Sequence, residues 1–228
     1  MNQLKPTKLA PYKITSIVLL ILWFFCSIAQ TIIQIMDYTH IMHKLHPSLL
    51  LNLFTTTLFG VCLLLGYIFC YKKGKSTVFL GVIFFVMTLE TVVNFCVYGT
   101  SLLEYFFNNA VYLPTIFWIS QFGGNFVTPI VYALTTATIS ISCLSKMRFA
   151  KIALVMQIVS IAATAVFVIL TFFYYTNQIL WYGFSLVSIK EIVKIALSLI
   201  NAPMLKVSVL LFLVYRIKAE KSEQETAI

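Results

Sequence analysis

The sequence predicts an all-α membrane protein: a polytopic bundle of six transmembrane helices arranged as three hairpins, with both termini cytoplasmic. Three observations predict it. The 228 residues are 61% apolar and only 10% charged, with a mean hydropathy of +0.96, whereas a soluble domain is about 45–50% apolar and about 25% charged. The apolar residues fall in six stretches, each near the roughly 20 residues that a helix needs to cross hydrocarbon. The basic residues gather in clusters that all fall on one side of those stretches. A soluble enzyme or a nucleic-acid-binding domain of this length needs a charged surface that this composition does not supply. The net charge of +9 is therefore read by position, as a report of orientation, and no nucleic-acid partner is expected. The lipid bilayer is the first partner.

The spans are placed at 14–36, 48–71, 77–98, 123–144, 152–174 and 195–215. Runs this long and continuously apolar suit helices, which satisfy their own backbone groups in lipid, and not the alternating strands of a barrel. Lys5, Lys8 and Lys13 precede the first span; Lys72, Lys73 and Lys75 follow the second; Lys146, Arg148 and Lys151 follow the fourth; Arg216, Lys218 and Lys221 follow the sixth. Only Lys44, Lys190 and Lys194 fall on the other side, and Lys206 lies within a span. The positive-inside rule then makes the termini and both basic turns cytoplasmic. A further span through 105–121 would put two basic clusters on the wrong side, so 99–122 is read as an external loop with an interfacial or re-entrant piece. Its Tyr105, Tyr112 and Trp118 suit the headgroup level. Ser27-x-Ala29 after a basic start imitates a secretory signal, but the apolar run continues to Met36 with no polar cleavage region, which reads as an uncleaved anchor. Cleavage would leave five spans with the same orientation. Residues 1–215 form one domain, and 216–228 are expected to be a short, disordered cytoplasmic tail.

Polar side chains inside lipid are costly, so the helical face they occupy is informative. Ser27, Gln30, Gln34 and Asp37 form one stripe of span one, and Glu90 and Asn94 stand one turn apart on span three. Asn125, Thr128, Tyr132 and Thr135 continue the pattern on span four, Asn52 and Thr55 on span two, and Ser198 and Asn201 on span six. Most lie in the external half, whereas Gln157, Ser160 and Thr164 of span five lie in the cytoplasmic half. Two readings are open. The hydroxyls and amides join helices by hydrogen bonds worth on the order of 0.6 kcal/mol each, together with the small Ala133 and Ala137 of span four. Alternatively, spans one, three, four and six line a polar cavity open to the outside. Amides and carboxylates argue for the cavity more than hydroxyls do, because each has more hydrogen-bonding capacity than one neighbour satisfies.

The deepest charges are Glu90 and Lys206, at similar depths, and an ion pair between them is expected, either fixing helix register or contacting a ligand. Asn201-Ala202-Pro203 predicts a kink or break in span six at the carbonyl of Leu199, and Pro129 does the same near the external end of span four. Broken helices build solute sites at the membrane midplane, although kinked helices are also ordinary in bundles. His40, His43 and His46 share one window outside span one. Their spacing drifts around a helix, so they are weak candidates for a metal or proton sensor against an ordinary interfacial loop.

No metal-protease, nucleophile-elbow or paired-aspartate motif is present, and Asp37 is the single aspartate. The five cysteines show no C-x-x-C spacing and read as small packing residues. No catalytic residue and no cofactor are expected. The layout resembles that of small solute-binding membrane subunits of vitamin transporters in architecture alone. The expected function is a small-solute permease or solute-binding subunit of the plasma membrane, with Gln30, Gln34, Asp37, Glu90, Asn94, Asn201 and Lys206 as ligand contacts. Its partners would be a small-molecule solute and, for active transport, an ATPase subunit or another membrane protein. The alternative is a non-transporting scaffold, maturation or sensor protein acting through partner helices, with an unfamiliar intramembrane enzyme behind both.

Overall fold

The computed structural model describes residues 10–42, 47–73, 77–109, 119, 122–182 and 189–226. Among these there are six α-helices and no strand: α1 (Ala10–Met42), α2 (Pro47–Lys73), α3 (Thr77–Asn109), α4 (Thr128–Leu144), α5 (Ala150–Tyr182) and α6 (Ile189–Thr226). Five stretches are long and apolar enough to cross a membrane: Ala10–Thr39, Leu49–Tyr71, Thr77–Val97, Ala150–Phe173 and Leu199–Ala219. They fit an integral, multi-pass membrane protein. The fourth expected span falls short on that count. Gly123–Val127 is a single π-turn leading into α4, where the Thr128 N–H bonds back to the Gly123 carbonyl. Pro129 supplies no N–H one residue later, so the helix is widened where a proline denies it the normal ladder.

Three helices outrun their expected ends. α3 continues through Asn109, where an external loop was expected from 99. α5 continues to Tyr182, and α6 runs to Thr226 in place of a disordered tail. Hydropathy marks where hydrocarbon ends, not where a helix ends. The Lys, Glu, Gln and Ala residues after 215 are good helix formers, and no proline interrupts 99–109. Pro203 sits inside α6 with helix on both sides, so the expected interruption of span six is not a break in the helix.

The helices form a closed ring. Each packs against its chain neighbours, and α6 returns to pack along α1, with α2–α3 the slightest seam. Partners run antiparallel, as the hydrogen bonds between helices show. Ser208 Oγ donates to the Ser16 carbonyl (2.7 Å) and Lys218 Nζ to Tyr12 Oη (2.8 Å) across α1–α6. Thr77 Oγ1 donates to the Cys143 carbonyl (2.8 Å), Ser140 Oγ to the Gly81 carbonyl (2.7 Å) and Thr88 Oγ1 to Thr136 Oγ1 (2.8 Å) across α3–α4.

The ring is apolar outside, unlike a soluble bundle, and carries polar side chains inside beside an apolar core. Phe25, Phe54, Val93, Leu134 and Val155 are among many large apolar side chains facing outward. Ser16, Ser27, Thr135, Thr136, Ser140, Gln157, Ser160, Lys206 and Ser208 are buried. Lipid supplies no hydrophobic drive between helices, so such polar contacts and close packing hold them together.

The two ends of the ring differ. The end that holds the starts of α1 and α3, the ends of α2 and α6 and the turn 145–149 carries the basic clusters. It is packed solid around Leu63, Tyr67, Leu80, Phe84, Cys143, Met147 and Phe212. Tyr67 stacks on Phe212 (centroids 4.9 Å) and Tyr71 meets Tyr215 edge-on (4.8 Å). Cys70 and Cys143 are buried there. The turn after α4 drives Met147 into this core at the cost of positive φ at Lys146 (54°) and Met147 (66°), a region unfavourable to L-residues by roughly 1 kcal/mol each.

A candidate solute cavity in the polar half of the ring

The other half of the ring is hollow. A cavity of about 570 Å³ lies between α1, α2, α3, α4 and α6, within the size range of small-molecule sites. α1 contributes Trp23, Ser27, Gln30 and Gln34, and α2 contributes Asn52, Thr55 and Phe59. Met87 and Glu90 come from α3, and Thr128, Pro129 and Tyr132 from α4 just past the π-turn. Asn201, Leu205 and Lys206 of α6 complete it. Met87 and Leu205 also belong to the packed core, so the floor of the cavity is the roof of the closed half.

Five of the seven expected ligand contacts, Gln30, Gln34, Glu90, Asn201 and Lys206, are brought into this one space by three helices. Asp37 and Asn94 are not among its lining residues; each stands one turn further toward the mouth, beyond Gln34 and Glu90. The side chains of His40, His43 and His46 lie outside the described residues. Among the described residues no group of histidine, cysteine, aspartate and glutamate could hold a metal.

The polar residues here divide by chemistry. Many hydroxyls are already satisfied by their own helix: Thr31 donates to the Ser27 carbonyl (2.9 Å), Thr91 to Met87 (2.8 Å) and Thr55 to Asn52 (3.0 Å). Such bonds leave little to offer a ligand. Asn201 Nδ2 donates to Ser27 Oγ (3.0 Å) and Gln30 Oε1 (3.2 Å), tying α6 to α1 across the cavity wall. Gln34 and Glu90 have no hydrogen-bond or ion-pair partner among the described residues. Within one wall the Asn201 amide thus joins helices, while Gln34 and Glu90 line the space with hydrogen-bonding capacity unspent among the described residues.

The expected Glu90–Lys206 ion pair does not form. Lys206 is 5% exposed, and its ammonium turns toward α5, donating to Thr164 Oγ1 and to the Ser160 carbonyl (3.3 Å). Gln157 Nε2 donates to the Lys206 carbonyl (2.6 Å), and the ammonium lies 5.6 Å from the centre of the Tyr132 ring, within cation–π range. Under it is a void of about 10 Å³ bounded by Gln157, Thr136 and Val209, the space of one water-sized probe. The polar stripe of span five thus has its explanation: it holds Lys206. Depth was the missed signal, since Thr164 and Lys206 both fall midway along their expected spans. Trp23 was missed as a lining residue because an aromatic in an apolar run carries no mark of the face it occupies, whereas Tyr132 lines the space from the polar stripe of span four.

No family model matches the chain, nor does any curated protein or solved structure. The functional reading rests on the cavity. It contains an isolated carboxylate, a fixed ammonium, amides and aromatic faces, which is equipment for binding. Among the described residues it holds no nucleophile paired with a base.

Proposed function

We propose that this chain is a plasma-membrane protein of six transmembrane helices with cytoplasmic termini, which takes a small solute from outside as a permease or as the solute-binding membrane subunit of one. One observation carries the reading: the ring is hollow and polar in the half away from the basic clusters, and packed solid in the half that bears them. With the basic end cytoplasmic, that is an outward-open site above a closed inner barrier. Gln30, Gln34, Glu90, Asn201 and Lys206 form the binding surface, with Asp37 and Asn94 nearer the mouth. α4, extended by its π-turn to begin at Gly123, serves as the sixth span. Uphill movement requires a partner ATPase or an ion gradient, because the 228 residues carry no nucleotide-binding motif.

Cysteine accessibility tests this. In a background free of the five native cysteines, Gln34→Cys and Asn201→Cys react from outside intact cells with a membrane-impermeant maleimide. A cysteine restored at 143, fully buried in the closed half, does not. Labelling at 34 and 201 as slow as at 143 overturns the cavity.

Asn94 favours a second reading. It is exposed on α3 and does not line the cavity, and an amide facing hydrocarbon is costly without a partner. A partner helix docked there would make the protein a scaffold or sensor. Asn94→Leu then abolishes co-purification of that partner, whereas a permease acting alone loses nothing.

A further inference from the structure

The cavity holds two opposite charges that do not neutralise each other. Lys206 stands at its floor, its ammonium spending two donors on Thr164 and Ser160 while the residue still lines the space. Ammonium has three donors, and these two bonds leave one unspent. Glu90 lines the same space from α3 with no ion-pair partner among the described residues. The ammonium lies over the Tyr132 ring, and Tyr132 lines the same space as both charges. Trp23, Phe59 and Met87 supply apolar wall.

Resting on the cavity reading above, we propose that the solute is a small zwitterion with an apolar body, its carboxylate meeting Lys206 and its ammonium meeting Glu90. A solute with one charge satisfies one group and leaves the other uncompensated in a half-dry site, which is costly. A neutral solute leaves both. A zwitterion answers both and enters with no net charge.

The test uses the purified full-length protein in lipid nanodiscs, with thermal stabilisation as the readout of binding. The probes are L-leucine, L-phenylalanine, L-methionine, glycine betaine, 5-aminopentanoate and 6-aminohexanoate, which span the possible charge separations. Each amino acid is paired with the matching amine lacking the carboxylate and the matching acid lacking the amine; glycine betaine is paired with choline and acetate. The expected result is at least tenfold tighter binding of one zwitterion than of both its singly charged counterparts. Glu90→Gln reduces that affinity at least tenfold, to the level of the carboxylic acid alone, and Lys206→Gln to that of the amine alone. A singly charged probe that binds as well as its zwitterion overturns the proposal, as does the absence of binding by every zwitterion in the set. The thiol labelling at 34 and 201 separates the two failures. If those cysteines react and no zwitterion binds, the cavity stands and the ligand class is wrong; if they stay unreactive, the cavity itself is wrong.

Discussion

At the scale of single residues, Lys206 gathers most of the unusual energetics. A lysine in a membrane helix costs about 3 kcal/mol on insertion scales, and here that cost is offset by Thr164, the Ser160 carbonyl and the Tyr132 face. Thr164→Val should remove a charge-assisted bond and lower unfolding stability in detergent by about 1.5–3 kcal/mol. Adding Lys206→Met should cancel the loss, because an apolar side chain of similar length no longer needs the hydroxyl; a double variant as unstable as the single one refutes the bond. Lys146→Gly should act in the other direction, stabilising by up to about 1 kcal/mol since glycine accepts φ of 54° without strain, while Lys146→Val should destabilise. Differential scanning of the purified variants reads both. The sequence marks Gln30, Glu90, Asn201 and Lys206 as cavity residues because burying such groups in lipid is expensive and few causes justify it. It does not mark what Lys206 binds. Threonine is common in membrane helices: Thr164 and Thr176 both donate to their own helix, at Ser160 and Phe172, and only the packing of α5 on α6 brings the Lys206 ammonium to Thr164 as well.

Whole helices are held close by residues that lack side-chain bulk. A methyl group built on Gly81 would lie 2.9 Å from Leu144 Cγ and 3.2 Å from Cys143 Cβ, at the seam where the Gly81 carbonyl accepts from Ser140. Gly81→Leu should force α3 and α4 apart and cost about 1–3 kcal/mol, lowering the unfolding midpoint. Gly124→Leu is the matched control, because that glycine is exposed and nothing lies within 4 Å of a methyl group there. Equal effects of the two would show that the α3–α4 contact does not govern stability. The existence and order of the helices are legible in the apolar runs between charges, but their lengths are not. α3 and α6 continue beyond the apolar zone because helix propensity outlasts hydropathy, and the π-turn at Gly123–Val127 follows from where Pro129 falls on a helix already packed in place.

Seen as a whole, the molecule is a ring with large apolar side chains on its surface and polar groups gathered around a cavity in one half of its interior. Its antiparallel order follows from the alternation of charged turns and apolar runs, whereas its closure rests on contacts between α1 and α6 that no local pattern announces. The closure has a consequence for biosynthesis. Ser16, Ser27 and Gln30 emerge on the first helix, and their partners Ser208 and Asn201 on the last, separated by 171 to 192 residues of chain. Until α6 is made, the nascent protein lacks the partners of this polar stripe, a costly arrangement in lipid. Chains ending at 188 should therefore insert yet be degraded several-fold faster than the full protein in a pulse-chase. A separately expressed 189–228 segment should rescue them. Equal half-lives with and without it would mean that the chain is stable unclosed, and that the last helix to be made is not the one that completes the fold.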